Sequence, residues 1–105
     1  MSFQQLSVDA LKTLMSQGAD LTVFDTRDPT SFAGGHIDQA LSLNNDTMQQ
    51  LLDDTPMSNT IVVCCYHGVS SQPIADWLVD LGYDKVYSLT GGYSAWAAQA
   101  QAQYR

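Results

Sequence analysis

Apolar positions along this chain follow two alternating periods. Short runs rich in β-branched and aromatic residues occur at FQQL (3–6), LTVFD (21–25), LSL (41–43), TIVVCC (60–65) and DKVYSL (84–89). Their length and composition predict strands. Between them the apolar residues recur three and four positions apart. Leu11, Leu14 and Met15 share a face of a helix predicted over 8–17, with Ser7 as N-cap and Gly18 just past its end. Asp28-Pro29 reads as the cap and first residue of a short helix that holds Phe32. Asn45 or Asp46 can cap a helix with Met48, Leu51 and Leu52. Ile74, Trp77, Leu78 and Leu81 mark the apolar face of a helix over 71–81, which Gly82 ends. GGYSAWAAQAQ begins a last helix, and the Ala/Gln tail is expected to continue it and then fray.

Strands that alternate with helices predict an α/β domain. Its sheet should be central, mostly parallel and of about five strands, flanked by helices. TIVVCC has an unbroken apolar character, which suits a central parallel strand buried on both faces. Ligands of such sheets sit beyond the carboxyl ends of the strands. Cys65 lies there, so its position alone draws attention.

Composition narrows the function. The 105 residues suit one core, and no apolar run approaches a membrane span. The N-terminus lacks the charged start and apolar stretch of a signal peptide. The net charge is −7, all eleven acids are Asp, and the four bases are Lys12, Arg27, Lys85 and Arg105. Bases so dispersed argue against nucleic acid and anionic membranes as partners. The two cysteines, Cys64 and Cys65, are adjacent. Neighbours on a strand point to opposite faces, so a disulfide between them would distort the backbone. Their spacing does not match a zinc site. A reducing compartment, and hence the cytoplasm, is the expected location.

The segment CYHGVSS (65–71) joins the central strand to the next helix. A loop of this kind can curl its N–H groups around an anion, and the helix N-terminus adds partial positive charge. Gly68 allows the tight curvature. A sulfur held in such a ring tends to ionise, and the thiolate is the nucleophile. Cys65 is therefore the candidate nucleophile, with Tyr66, His67, Gly68, Val69, Ser70 and Ser71 forming the loop around it. Cys64 faces the other way and reads as core.

Two chemistries use a loop like this. Phosphatase- and arsenate reductase-type enzymes place an arginine six positions after the cysteine, to fork onto an oxyanion. That position is Ser71, and no Lys or Arg lies between Arg27 and Lys85. Phosphoryl transfer is thus disfavoured. Transfer of a sulfane sulfur needs less positive charge, and neutral N–H and hydroxyl donors suffice for it.

Three segments in order, DTRDPTSFAGGHI (25–37), CYHGVSS (65–71) and GGYSAW (91–96), make the chain resemble the rhodanese family. The loop is most similar to that of small single-domain bacterial members. The resemblance implies a rhodanese-like three-layer fold and a single domain over residues 1–105. It implies a thiosulfate sulfurtransferase: Cys65 takes the outer sulfur of thiosulfate, holds it as a persulfide without any cofactor or metal, and passes it to cyanide or to a dithiol such as thioredoxin. A non-catalytic rhodanese-like binding module is the alternative.

Other residues are expected to be structural. Arg27 should pair with Asp25 and Asp28 to brace a turn, and His36 should hydrogen-bond within one. The His67 ring should face solvent while its N–H faces the sulfur. Ser70 and Ser71 should cap the helix, and their hydroxyls can also reach toward the sulfur carried on Cys65. Tyr93 and Trp96 should pack the last helix, with Gly91-Gly92 turning the chain before it.

Overall fold

The structure is a computed structural model that describes residues 3–18 and 20–103. Five strands form its sheet: β1 (Gln4–Leu6), β2 (Leu21–Asp25), β3 (Leu41–Ser42), β4 (Thr60–Cys64) and β5 (Lys85–Leu89). Their order is β1-β5-β4-β2-β3, and every pairing is parallel. The helices are α1 (Val8–Ser16), α2 (Pro29–Ala33), α3 (Met48–Asp54), α4 (Ser71–Leu81) and α5 (Gly92–Gln103). The expected fraying falls at Tyr104 and Arg105, outside the described residues. No described helix is long and apolar enough to cross a membrane.

Strand parity sorts the core into two layers. Val23, Val62, Cys64 and Leu89 face α1, with Val8, Leu11 and Ile37, and Tyr93 and Trp96 of α5 pack on the same cluster. Ile61, Val63 and Val86 face α4, with Ala75 and Leu78, and Met48, Leu51 and Leu52 of α3 complete that side. The sheet is thus covered on both faces, as its continuous apolar strands require. Cys64 and Cys65 consequently belong to opposite sides of the sheet.

Local signals place most helix ends. The Ser7 hydroxyl accepts from the Ala10 N–H, and a carboxylate oxygen of Asp28 accepts from the Ser31 N–H. Gly18 and Gly82 take positive φ just past α1 and α4. Ahead of α3, however, neither Asn45 nor Asp46 caps. The Asn44 side chain accepts from the Asp46 and Thr47 N–H groups at 2.8 and 3.1 Å, an Asx turn one residue earlier.

The phase of α4 also differs from the expected one. Trp77 and Leu81 are 36% and 42% exposed, while Ser71, Ala75 and Leu78 are buried. Positions four and seven after Ser71 share its face. Once Ser71 points at the strand end, small Ala75 and Leu78 must meet the sheet, and Trp77 is carried to the flank.

Arg27 and Asp25 form a buried ion pair. A guanidinium nitrogen lies 2.7 Å from the carboxylate, which also accepts from the Arg27 backbone N–H. The same guanidinium group donates to the Gly35 carbonyl at 2.7 Å and stacks 3.9 Å from the Tyr93 ring centroid. Asp28 caps α2 instead of joining this pair. His36 lies flat on Phe32 with its ring nitrogen 2.9 Å from the Phe32 carbonyl, which makes it a turn residue.

Candidate active site

Cys65 is the first residue after β4, at the carboxyl edge of the central strand. It is 2% exposed. The loop from Cys65 to Ser70 turns directly into α4 and wraps the sulfur. The Gly68 N–H donates to the Cys65 sulfur at 3.1 Å, and the Ser71 hydroxyl lies 3.2 Å from it. Gly68 thus donates its N–H to the sulfur, and no such bond from His67 is found among the described residues. Burial pushes the thiol up. The hydroxyls of Ser71 and Ser70 and the N–H groups of Ser71 and Gly68 outweigh it and lower the Cys65 pKa from 9.0 to about 7. A good share of the sulfur is then thiolate at neutral pH.

The remaining loop residues divide cleanly. Tyr66 and Val69 are 55% and 70% exposed and form the rim with His67, whose ring lies 4.6 Å from that of Tyr66. Gly68 is buried at φ +86. Ser70 occupies the N-cap position of α4, but its side chain makes no capping bond. Ser71 is the first helical residue, and its hydroxyl is spent on Cys65 and on Ser88. The expected capping role of these two serines is thus corrected: Ser70 makes no capping bond, and the Ser71 hydroxyl serves the sulfur instead. The Gln72 side chain holds the loop from the helix side by donating to the Gly68 carbonyl at 2.8 Å.

A second anchor comes from α5. Its first N–H groups do not point to solvent. Those of Tyr93 and Ser94 donate to the carbonyls of Cys65 and Tyr66 at 2.8 and 2.9 Å. This satisfies helix-end donors and loop acceptors together. The backbones approach so closely that side chains have no room. A Cβ on Gly68 would lie 2.8 Å from the Gly91 nitrogen and 2.9 Å from the Leu89 carbonyl. The GG dipeptide at the start of α5 is therefore part of the site's wall as well as a turn.

Sequence reasoning missed Ser88. It sits on β5, fully buried, with its hydroxyl 2.8 Å from that of Ser71. The one available signal was a serine among the apolar residues of KVYSL.

A shallow cavity of about 270 Å³ adjoins the loop, lined by Thr26, Leu43, Asn44, Met48, Ser70 and Ile74 among others. No charged side chain lines it. The loop itself contains no Lys or Arg, and Ser71 fills the position where an oxyanion-binding arginine would stand.

The family described as the rhodanese-like domain matches residues 7–99. The chain is 45% identical over 95 residues to thiosulfate sulfurtransferase GlpE of Shewanella oneidensis, spanning 90% of this chain and 93% of that protein. Among solved structures, the rhodanese-like domain of the Anabaena Alr3790 protein superposes with a TM-score of 0.78 at 26% identity, over 90% of this chain and 73% of that one. The human single-domain sulfurtransferase TSTD1 superposes with a TM-score of 0.76 at 22% identity, over 90% of this chain and 95% of that one.

Proposed function

The chain belongs to the rhodanese-like family, and on that premise we propose that it is a thiosulfate sulfurtransferase with Cys65 as its sulfur carrier. The observation that supports this most is the Cys65 sulfur, held by the Gly68 N–H and the Ser71 hydroxyl and lowered to a pKa of about 7. The relative's activity on thiosulfate agrees with it.

The reaction is a double displacement. The Cys65 thiolate attacks the outer sulfur of thiosulfate. The S–S bond of thiosulfate breaks, its electron pair leaves with sulfite, and a Cys65 persulfide remains. Cyanide then attacks the terminal sulfur of that persulfide, thiocyanate departs and the thiolate returns. A dithiol such as that of thioredoxin can accept the sulfur instead: one thiolate takes it, the second thiol closes a disulfide, and hydrosulfide leaves. Splitting the transfer in two is covalent catalysis. The Gly68 and Ser71 donors point at the position where negative charge gathers on sulfur in each step. No resident cofactor is required, since Cys65 itself carries the group. A nucleophile that must stay reduced favours a reducing compartment, and the location proposed on that ground is the cytoplasm.

Thiocyanate formation from thiosulfate and cyanide tests this reading, and its absence at every pH sinks it. With thiosulfate limiting, kcat/KM should follow the thiolate. A lowered thiol pKa means that activity is lost as pH falls through about 7 and is flat above it. One unit below the midpoint only about a tenth of the thiolate remains, so kcat/KM should drop roughly tenfold there. A midpoint near the ordinary thiol value would mean that the loop does not activate Cys65.

A further inference from the structure

We propose that Ser88 is a positioning residue for the nucleophile: its hydroxyl donates to the Ser71 oxygen and thereby aims the Ser71 proton at the Cys65 sulfur. The proposal rests on the reading of Cys65 as the sulfur carrier. It arises from an oddity of β5. On the face of β5 that packs against α4, Val86 is followed by a fully buried serine. A hydroxyl in an apolar layer is costly unless it is hydrogen-bonded. The partner found for Ser88 among the described residues is the Ser71 hydroxyl, at 2.8 Å, and Ser71 in turn meets the Cys65 sulfur at 3.2 Å.

A hydroxyl has one proton and two lone pairs. Ser71 can send its proton to Cys65 or to Ser88, but not to both. A thiolate offers no proton, so Ser71 must donate to it, and Ser88 then donates to Ser71. When Cys65 is protonated the chain can run the other way, from thiol to Ser71 to Ser88. The row of hydroxyls can thus follow the charge on sulfur, and each bond polarises the next. A lone Ser71 would be free to rotate away.

Ionisable neighbours do not offer a competing explanation. On the elements around Ser88 they are Cys64 on β4, Asp76 and Asp80 on α4, Lys85 and Tyr87 on β5, and Tyr93 on α5; β1 has none. Asp76, Asp80 and Lys85 are exposed, Cys64 and Tyr87 pack into the opposite layer, and Tyr93 stacks on Arg27.

The test reads the thiolate in the free protein. The rate of iodoacetamide alkylation is followed against pH, with fragment masses separating Cys65 from Cys64. Ser88→Ala should raise the Cys65 midpoint by about half a unit, and Ser71→Ala should raise it further, by about one unit. Adding Ser88→Ala to Ser71→Ala should change nothing more, while Ser88→Thr should keep the midpoint of the parent. If alanine is not tolerated, Ser88→Cys, a near-isostere with a weak donor, should shift the midpoint upward in the same way. An unmoved midpoint in the alanine variant, or in Ser88→Cys where alanine is not tolerated, overturns the proposal. So does an equal rise with and without Ser71, or a folded Ser88→Thr that behaves like alanine. Alkylation needs no sulfur donor. A negative result here therefore leaves sulfur transfer standing, and an absence of thiocyanate leaves the hydroxyl chain standing.

Discussion

Cys65→Ser should lower kcat/KM for thiosulfate by at least about a thousandfold, because it removes the group proposed to form the covalent intermediate. The fold should survive. A serine oxygen fits where the sulfur was, and the Gly68 N–H and Ser71 hydroxyl can still pair with it. The hydroxyl cannot ionise near neutral pH, so no persulfide analogue forms. The neighbouring cysteine is the proper control. Burial, and then the nearby Asp25 carboxylate, push the Cys64 thiol up to about 12, with Arg27 only partly offsetting them. Its side chain packs in the layer facing α1, on the other side of the sheet. Cys64→Ala should therefore retain activity within about threefold while losing about 1 kcal/mol of stability. A Cys64→Ala protein that is folded but inactive would mean that the two thiols cooperate across the strand end.

Gly92→Ala should be the most damaging single methyl that can be added near the site. A Cβ there would overlap the Cys65 carbonyl oxygen and come within 2.7 Å of both the Gly68 nitrogen and the Tyr66 carbonyl oxygen. All three are backbone atoms that cannot rotate aside. They belong to the loop whose carbonyls the α5 N–H groups hold. To make room, the loop must move off the helix, giving up those bonds and the donor geometry at the sulfur. The positive φ of +59 adds strain for any side chain. The expected loss is more than about 3 kcal/mol of stability, with activity down by about a hundredfold or more in whatever remains folded. Gly18 separates the two causes. Its φ is +67, yet nothing lies within 4 Å of an added Cβ. Gly18→Ala should show backbone strain alone, about 1–2 kcal/mol, with activity intact. Urea unfolding and thiocyanate assays of both variants make the comparison. Equal destabilisation of the two would mean that the loop accommodates the methyl.

These two cases show what the sequence could and could not reveal. The alternation of strand and helix, the parallel sheet and the place of Cys65 follow from local periodicity and composition. That is why the structure departs from them only at element ends, where β4 stops at Cys64 and leaves Cys65 in the loop. The opposite facing of Cys64 and Cys65 follows from strand parity alone. The wall of the site does not. Gly68 and Gly92 were legible as turn residues, but their mutual contact joins segments far apart in sequence. The same holds for Ser71 and Ser88, and for Tyr93 beneath Arg27. The phase of α4 was misjudged because apolar residues mark two stripes on that helix, one through Ala75 and Leu78 and another through Trp77 and Leu81. Bulk favoured the second. The need to point Ser71 at the sulfur selects the first, and nothing within the helix itself encodes that need. The Asn44 turn was missed because three successive residues, Asn44 to Asp46, could each have capped.

The intact mass of the protein after thiosulfate treatment and removal of excess reagent tests sulfur transfer through Cys65 most directly. The parent protein and Cys64→Ala should each gain one sulfur atom and lose it when cyanide is added, while Cys65→Ser should gain nothing. A folded Cys65→Ser that still takes up the sulfur, or a parent protein that never does, would contradict the account.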